Sequence, residues 1–462
     1  MKILHVSLGL PPYRTGGLTK YCLDLMLTQQ ELMHEVLLLY PGRYTWGNVQ
    51  IRKDHSYHGV QVYEIINPLP VPLLGGISKP KEYMKMRDQP EYLRFLQQIK
   101  PDVIHFHTLM GIHKDLLTAA HRLNIRTLFT SHDYFGICPK VNLIDLKGAH
   151  CSDYADGRKC VDCNAGAYSG LTIYIIQSKL YRLMKDSKLV KRIRMHTKKM
   201  YRAKMDAAGR FASEKPNPFY YYAKLRTHYL EMLKSIDFFH FNSELAQSIY
   251  LQYLDVQGKV IPIMHRDIKD QRKLKAPRRE GSPIILAYIG PIEHYKGFYL
   301  LLESLAYLKS ITSAGWRLHI YGSGSAEEYE EISEQVTFFG TYRYDELETI
   351  FENIDLLIIP SISMETFGLV GIEALSYGVP LLVSNHAGIR DLVRDGVNGI
   401  IFEPNVRDLA ANLLLILENN ELLSGLNKNI VESEFTYSMD GHAREIIQQY
   451  DHLLSLEVQN CD

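Results

Sequence analysis

Short apolar runs alternate with stretches whose apolar residues recur every three or four positions, and this alternation continues through most of the chain. Apolar runs without intervening polar residues mark strands covered on both faces, as in parallel sheets flanked by helices. Residues 1–7, 36–40, 60–65, 102–107 and 127–130 read as successive strands. The series resumes with a strand at 236–241, a helix over about 243–254 and a strand at 259–261. A polar, cationic stretch from Arg266 to Arg279 has the composition of a linker. The alternation then restarts, with strands expected at 283–289, 318–321, 354–359 and 380–383. From about Ser438 to Leu454 the spacing becomes helical, with Ile446, Ile447, Tyr450, Leu453 and Leu454 on one side.

The pattern predicts an α/β chain of two doubly wound domains. Residues 1–265 form the first, 266–282 a linker, 283–437 the second, and 438–462 a helix packing back on the first domain. A length of 462 residues and a hydrophobic fraction of 46% suit two such cores. Facing domains of this kind gather the carboxyl ends of both sheets around one crevice, where ligands bind. No apolar run has the length of a membrane span, and the opening residues form too short an apolar segment for a signal peptide, so a cytoplasmic location is expected.

The loops at those strand ends are the candidates for chemistry. Leu10-Pro11-Pro12-Tyr13-Arg14-Thr15-Gly16-Gly17 leads into a helix beginning near Leu18. A glycine pair lets backbone N–H groups approach an anion at a helix start, and it equally suits an ordinary turn. In the second half Gly290 ends a strand and Lys296-Gly297 opens the next helix; a cation there can stabilise the charge developing on a diphosphate leaving group. Ser323, in Gly322-Ser323-Gly324, follows the next strand and can shape a nucleotide pocket. The most informative segment is Glu365-Thr366-Phe367-Gly368-Leu369-Val370-Gly371-Ile372-Glu373. Glu365 is expected to face the cleft from a loop. The N–H groups of Phe367, Gly368 and Leu369 are placed to meet phosphate or sugar oxygens, and Glu373 to accept from hydroxyls such as those of a ribose.

Taken together and in this order, Gly16-Gly17, Ser131-His132-Asp133, Lys296-Gly297 and the Glu365-x7-Glu373 spacing resemble the retaining GT-B glycosyltransferases of family 4 over nearly the whole chain. The resemblance implies a GT-B fold, two facing Rossmann-like domains with a cleft between them. It also implies sugar transfer from a nucleoside-diphosphate sugar with retained anomeric configuration, requiring no catalytic metal or other cofactor. By the same resemblance Gly17 and Lys296 contact the diphosphate, His132 the donor sugar, Glu365 the sugar hydroxyls and Glu373 the ribose. His132 and Glu365 stand nearest the chemistry, and Gly16, Gly290, Ser323, Thr366, Phe367, Gly368 and Leu369 line the donor site. The implied acceptor is a glycan or a lipid-linked sugar in surface polysaccharide or glycoconjugate assembly. One departure is visible: the family often has an arginine directly after the glycine ending this strand, whereas Pro291 follows Gly290 here. A nucleotide-sugar 2-epimerase and a sugar-nucleotide-binding scaffold are the competing functions for a chain of this shape.

Between about 138 and 230 the α/β alternation is interrupted by an insertion. Cys138, Cys151, Cys160 and Cys163 fall in its first part, the last two as a Cys-x2-Cys pair, and could supply a structural zinc site; unpaired thiols or disulfides fit the same spacing. From Lys179 to Lys204 there are eleven Lys or Arg and one acid, with Ile176, Leu180, Leu183, Val190, Ile193 and Met200 at near-helical spacing. Such a helix can lie on an anionic membrane surface or pack its stripe on its own domain. Charge supports a basic first half: residues 1–282 carry 43 Lys+Arg and 25 Asp+Glu, +18, balanced by −18 in the rest. The basic residues form no recognisable nucleic-acid-binding motif, so nucleic acid is not an expected partner.

Overall fold

The computed structural model describes residues 1–72, 76–86, 90–178, 181, 184, 187, 219–276, 281–324, 330–419 and 421–458. The first half builds β1 (Lys2–Val6), β2 (Glu35–Pro41), β3 (Gln50–Lys53), β4 (Gln61–Ile66), β5 (Val103–Phe106), β6 (Arg126–Thr130), β7 (Phe238–Phe241) and β8 (Gly258–Val260). They lie in the order β3-β4-β2-β1-β5-β6-β7-β8, parallel throughout except for the antiparallel edge pair β3–β4. The second half builds β9 (Ile284–Ile289), β10 (Trp316–Tyr321), β11 (Val336–Gly340), β12 (Leu356–Ile359), β13 (Leu381–Ser384) and β14 (Gly399–Phe402). Their order is β11-β10-β9-β12-β13-β14, all parallel. Both sheets are Rossmann-like, with helices between most of their parallel strands; β2, β3 and β4 follow one another without a helix between them.

Three strands escape the apolar-run pattern. β3 and β11 are edge strands, and most of their residues are exposed or half-buried. β14 is four residues long and begins with glycine.

Strand periodicity sends alternate residues of β1 to different cores. Leu4 and Val6 join the cluster beneath the first sheet, while Ile3 joins a second cluster that continues into the other half. That second cluster contains Tyr21, Leu25, Val103 and Leu128 from the first half, and Ala287, Ile289, Leu357 and Ile372 from the second. The helix Met439–Val458 seals it with Met439, Ala443, Ile446, Tyr450 and Leu453, all buried and spaced to share one stripe. Each fully buried large apolar side chain contributes about 1.5–3 kcal/mol, so this stripe holds the chain's last helix on the first sheet.

The described part of the insertion contains the helices Arg158–Cys163, Gly170–Ile176 and Phe219–Lys234. The cationic helix expected over 179–204, with Lys191, Arg192, Arg194, Lys198 and Lys199, lies outside the described residues apart from three isolated positions.

Candidate functional site

Close backbone approach builds the second half's side of the site. A Cβ on Gly322 would stand 1.8 Å from the carbonyl oxygen of Gly290, and one on Gly297, whose φ is 73°, would stand 1.6 Å from that of Pro360. The loops after β9, β10 and β12 therefore touch, and only glycine fits the contacts. Lys296, one residue before this junction, is drawn to the loop after β12: its Nζ lies 2.5 Å from Glu365 Oε1. Ser361 donates to Glu365 Oε2 at 2.6 Å, while the Glu365 N–H donates to the His386 carbonyl at 2.8 Å. Burial opposes charge on both partners, yet their mutual attraction prevails, holding the Glu365 carboxyl below its ordinary range and raising the Lys296 ammonium. The result is a fixed ion pair, 25% and 18% exposed. Ser323 is exposed, and its carbonyl accepts from the Ile292 N–H at 3.0 Å.

The two halves meet at the next residues. Thr366 donates its hydroxyl to the His132 carbonyl at 2.9 Å, and Ser243 donates to the Thr366 carbonyl at 2.7 Å. Ser243 also caps its own helix, Glu244–Leu251, by accepting from the Ala246 N–H at 3.0 Å. A Cβ on Gly17 would come within 3.3 Å of Leu369 Cδ1. Gly16 and Gly368, at φ 115° and 110°, precede the helices Gly17–Glu31 and Leu369–Ser376, whose first turns carry N–H groups that a helix cannot satisfy internally. The Phe367 side chain is core, and its carbonyl accepts from the Ile389 N–H at 2.7 Å. The structure thus gathers His132 and Gly17 with Thr366 and Leu369, and Lys296 with Glu365.

Glu373 lies on the helix behind them and is only 4% exposed. Its Oε1 meets His265 Nε2 at 2.8 Å, while its buried Oε2 has no partner among the described residues. Burial disfavours charge on His265, but hydrogen bonds to Asp267 and Glu373 outweigh it and raise its affinity for a proton. Lys20 adds a bridge to Asp24 at 2.7 Å and to Asp267 at 2.8 Å. The partnership of His265 with Glu373 has no local sequence signal, since 108 residues separate them.

A second feature missed by sequence lies under His132. His5, His105 and His240 occupy strand interiors of the first sheet and are fully buried, joined by His107, 1% exposed, and His442, 4% exposed. His5 pairs in register with His105, and Thr130 with His240, so they share neighbouring strands. Polar residues inside otherwise apolar runs were the available signal. Burial, reinforced by His240, drives the His132 imidazole down to about 3, so it is neutral at physiological pH. Its neighbour Asp133 is pushed up to about 6 by burial, against a hydrogen bond from the Phe135 N–H.

The zinc expectation is not supported. Cys138, Cys151, Cys160 and Cys163 line one small cavity with Lys140, Lys159 and Arg226. The groups of three possible ligand atoms within 4.8 Å among the described residues are His5-His105-His107 and Asp24-His265-Asp267, and no cysteine belongs to either. Tetrahedral zinc needs its ligands converging at about 2.3 Å from one centre, closer than these four thiols stand to one another around the cavity.

Residues 269–432 match the family described as Glycosyl transferases group 1, and residues 15–152 match Glycosyltransferase Family 4. An uncharacterized glycosyltransferase of Methanocaldococcus jannaschii is 26% identical over 178 residues, 36% of this chain and 44% of that protein. A glycogen synthase of Mycobacterium tuberculosis is 30% identical over 152 residues, 31% of this chain and 36% of that enzyme. The matched stretch thus spans less than half the length of these relatives. Anabaena HepE, solved in complex with UDP, is similar in fold, with a TM-score of 0.57 at 14% identity covering 98% of this chain and 100% of that one.

Proposed function

Because the chain belongs to the group 1, family 4 type of glycosyltransferases and has their GT-B fold, we propose that it transfers a sugar from a nucleoside-diphosphate sugar to a glycan or lipid-linked acceptor with retention of configuration. The observation that carries this reading is the Lys296–Glu365 pair at the junction where Thr366 reaches the His132 carbonyl. Lys296 offers its charge to the leaving diphosphate, and the helix start after Gly368 adds N–H groups. Glu365, oriented by Ser361, accepts from sugar hydroxyls, and the unpartnered Oε2 of Glu373 accepts from the ribose.

Glu365 is already committed to an ammonium, so no side chain is assigned as nucleophile. In the proposed step the bond from the anomeric carbon to the diphosphate oxygen breaks and a bond to the acceptor oxygen forms on the same face. The acceptor proton passes to the departing phosphate oxygen. The missing arginine at position 291 leaves Lys296 as the principal cation for that charge.

A thermal-shift panel of UDP-, GDP-, ADP- and TDP-sugars tests the proposal, since a ligand bound only by the native state raises its stability. Stabilisation by one nucleotide series, followed by sugar transfer with the α or β configuration retained, is the expected result. No stabilisation by any of the four would refute it. The +18 charge of residues 1–282 supports peripheral attachment to an anionic membrane, in surface polysaccharide assembly. Cosedimentation that needs anionic lipid and weakens with salt is the expected outcome, and equal binding to neutral vesicles would dismiss attachment by charge.

A further inference from the structure

The buried histidines form one continuous chain of hydrogen bonds whose direction can be worked out from its far end. His240 Nε2 lies 2.7 Å from the Ile261 carbonyl, which can only accept, so Nε2 carries the proton. Burial holds His240 well below its ordinary range, to about 4, so the ring is neutral and Nδ1 is bare. That Nδ1 must receive a proton from the Thr130 hydroxyl, 2.9 Å away. With its one proton spent, Thr130 accepts from His105 Nε2 at 2.6 Å. His105, also kept neutral by burial, then presents a bare Nδ1 to the Tyr450 hydroxyl at 2.6 Å, and Tyr450 donates.

Tyr450 in turn accepts from the Gln29 amide at 3.2 Å, which fixes the amide so that Gln29 Oε1 faces His5 Nε2 at 2.8 Å. His5 donates there and accepts at Nδ1 from His107 Nε2, 2.9 Å away. His107, neutral by burial, accepts at Nδ1 from His132 Nε2 at 3.3 Å. Every ring nitrogen of His5, His105 and His107 is used, so none is left for an ion. The chain also ends on a carbonyl, which cannot give up a proton in return, so it does not conduct protons.

We propose that this chain locks His132 as the neutral tautomer protonated at Nε2, leaving Nδ1 as an obligate acceptor that selects a donor sugar offering a hydroxyl there, in preference to one offering a carboxylate. The inference rests on the proposed contact between His132 and the donor sugar. His132 is half-buried, and the side-chain hydrogen bond it makes among the described residues runs from Nε2 to His107, which leaves Nδ1 outside the chain. A bare imidazole nitrogen gains from a hydroxyl hydrogen and is repelled by an anionic oxygen. Gln29, Tyr450, His5 and His107 are then positioning residues, acting on the sugar only through His132.

Long-range proton–nitrogen correlation spectra of the full chain labelled with ¹⁵N-histidine test the lock, with His132 assigned through His132→Gln. The wild type should show His132 protonated at Nε2 alone between pH 6 and 8. Gln29→Met cuts the link at a site remote from His132, so His5, His107 and His132 can reverse together and His132 should become a mixture. If that variant fails to fold, Tyr450→Phe frees the Gln29 amide to turn and should give the same mixture. The dissociation constant of UDP-glucose, or of the nucleotide sugar selected by the thermal-shift panel, should rise by the reciprocal of the remaining Nε2-protonated fraction, about twofold at equal populations. A wild-type His132 protonated at Nδ1, or a tautomer unmoved in both variants, would overturn the lock. A shifted tautomer with unchanged donor affinity would keep the lock and overturn the His132–sugar contact.

Discussion

Lowering the pH from 7 to 5 should destabilise the protein strongly, because the folded state buries histidines that the unfolded chain protonates. His5 and His240 are both fully buried; burial lowers each from 6.5 to about 4, overcoming a favourable hydrogen bond to Gln29 and to Ile261 respectively. A histidine with a depressed folded pKa contributes full stability above its unfolded pKa and loses it as pH falls toward the folded value. At pH 5 each loses about 2 kcal/mol relative to pH 7, about 4 kcal/mol for the pair. His105, His107 and His442 are lowered by the same burial and add loss of the same sign. Asp133 works oppositely: its folded pKa of about 6 lies above the unfolded 3.8, so acid returns about 1 kcal/mol at pH 5. His265, raised in the folded state, also opposes the loss. For His5, His240 and Asp133 taken together the net drop is about 3 kcal/mol, a large part of a typical 5–15 kcal/mol stability. Denaturant unfolding at pH 7, 6 and 5 and constant ionic strength measures it, and calorimetry near pH 5.2 should find about two protons taken up on unfolding from His5 and His240 alone. His240→Gln should reduce the difference between pH 7 and 5 by about 2 kcal/mol. A wild-type difference below about 1 kcal/mol would refute the assignment of neutral buried imidazoles.

Lys296→Ala should lower transfer at least about 100-fold, the scale of losing one stabilising charge at a developing oxyanion, while circular dichroism stays native. Glu373→Gln preserves shape and the contact with His265, so it should weaken donor binding about 10-fold, read by titration, with Tm changed by only a few degrees. Gly297→Ala adds a Cβ 1.6 Å from a carbonyl oxygen at φ 73° and should cost more than about 2 kcal/mol in denaturant unfolding, whereas Gly425→Ala, which meets no atom within 4 Å, should not destabilise. Burial raises Cys160 to about 12 and Cys163 to about 11, so both should alkylate slowly at pH 8 in the native protein; labelling of both as fast as in the unfolded chain would contradict it.

What the sequence disclosed follows from the range of each interaction. β1, β5, β9 and β12 are apolar runs whose burial is written in consecutive residues, and the glycines at 290 and 297 mark backbone contacts recognisable from local spacing. β11 was hidden because an exposed edge strand needs no continuous apolar run. Lys296 and Glu365 were each legible as loop residues, yet their pairing across 69 residues was not. The partners of His132 were less visible still: His107, Gln29 and Tyr450 look like ordinary residues until parallel pairing aligns β1 with β5 and the last helix settles over them. The four cysteines were legible as a cluster and the fold brings them to one cavity, whereas Arg226, which joins that lining from the helix Phe219–Lys234, could not be foreseen from their spacing.

The return of the helix Met439–Val458 to the first sheet has a consequence for synthesis. That sheet's last strand ends at Val260, but its internal hydrogen-bond chain lacks a member until Tyr450 has emerged from the ribosome. At about 5–20 residues per second, the roughly 190 residues between them take about 10–40 s to make. Throughout that interval the nascent first half lacks the cover that this helix gives Tyr21 and Leu25, an opening for chaperones while translation continues. Codon choice or pausing in the second half therefore bears on the quality of the first, and a ribosome that stalls before residue 450 leaves an unsealed N-terminal sheet.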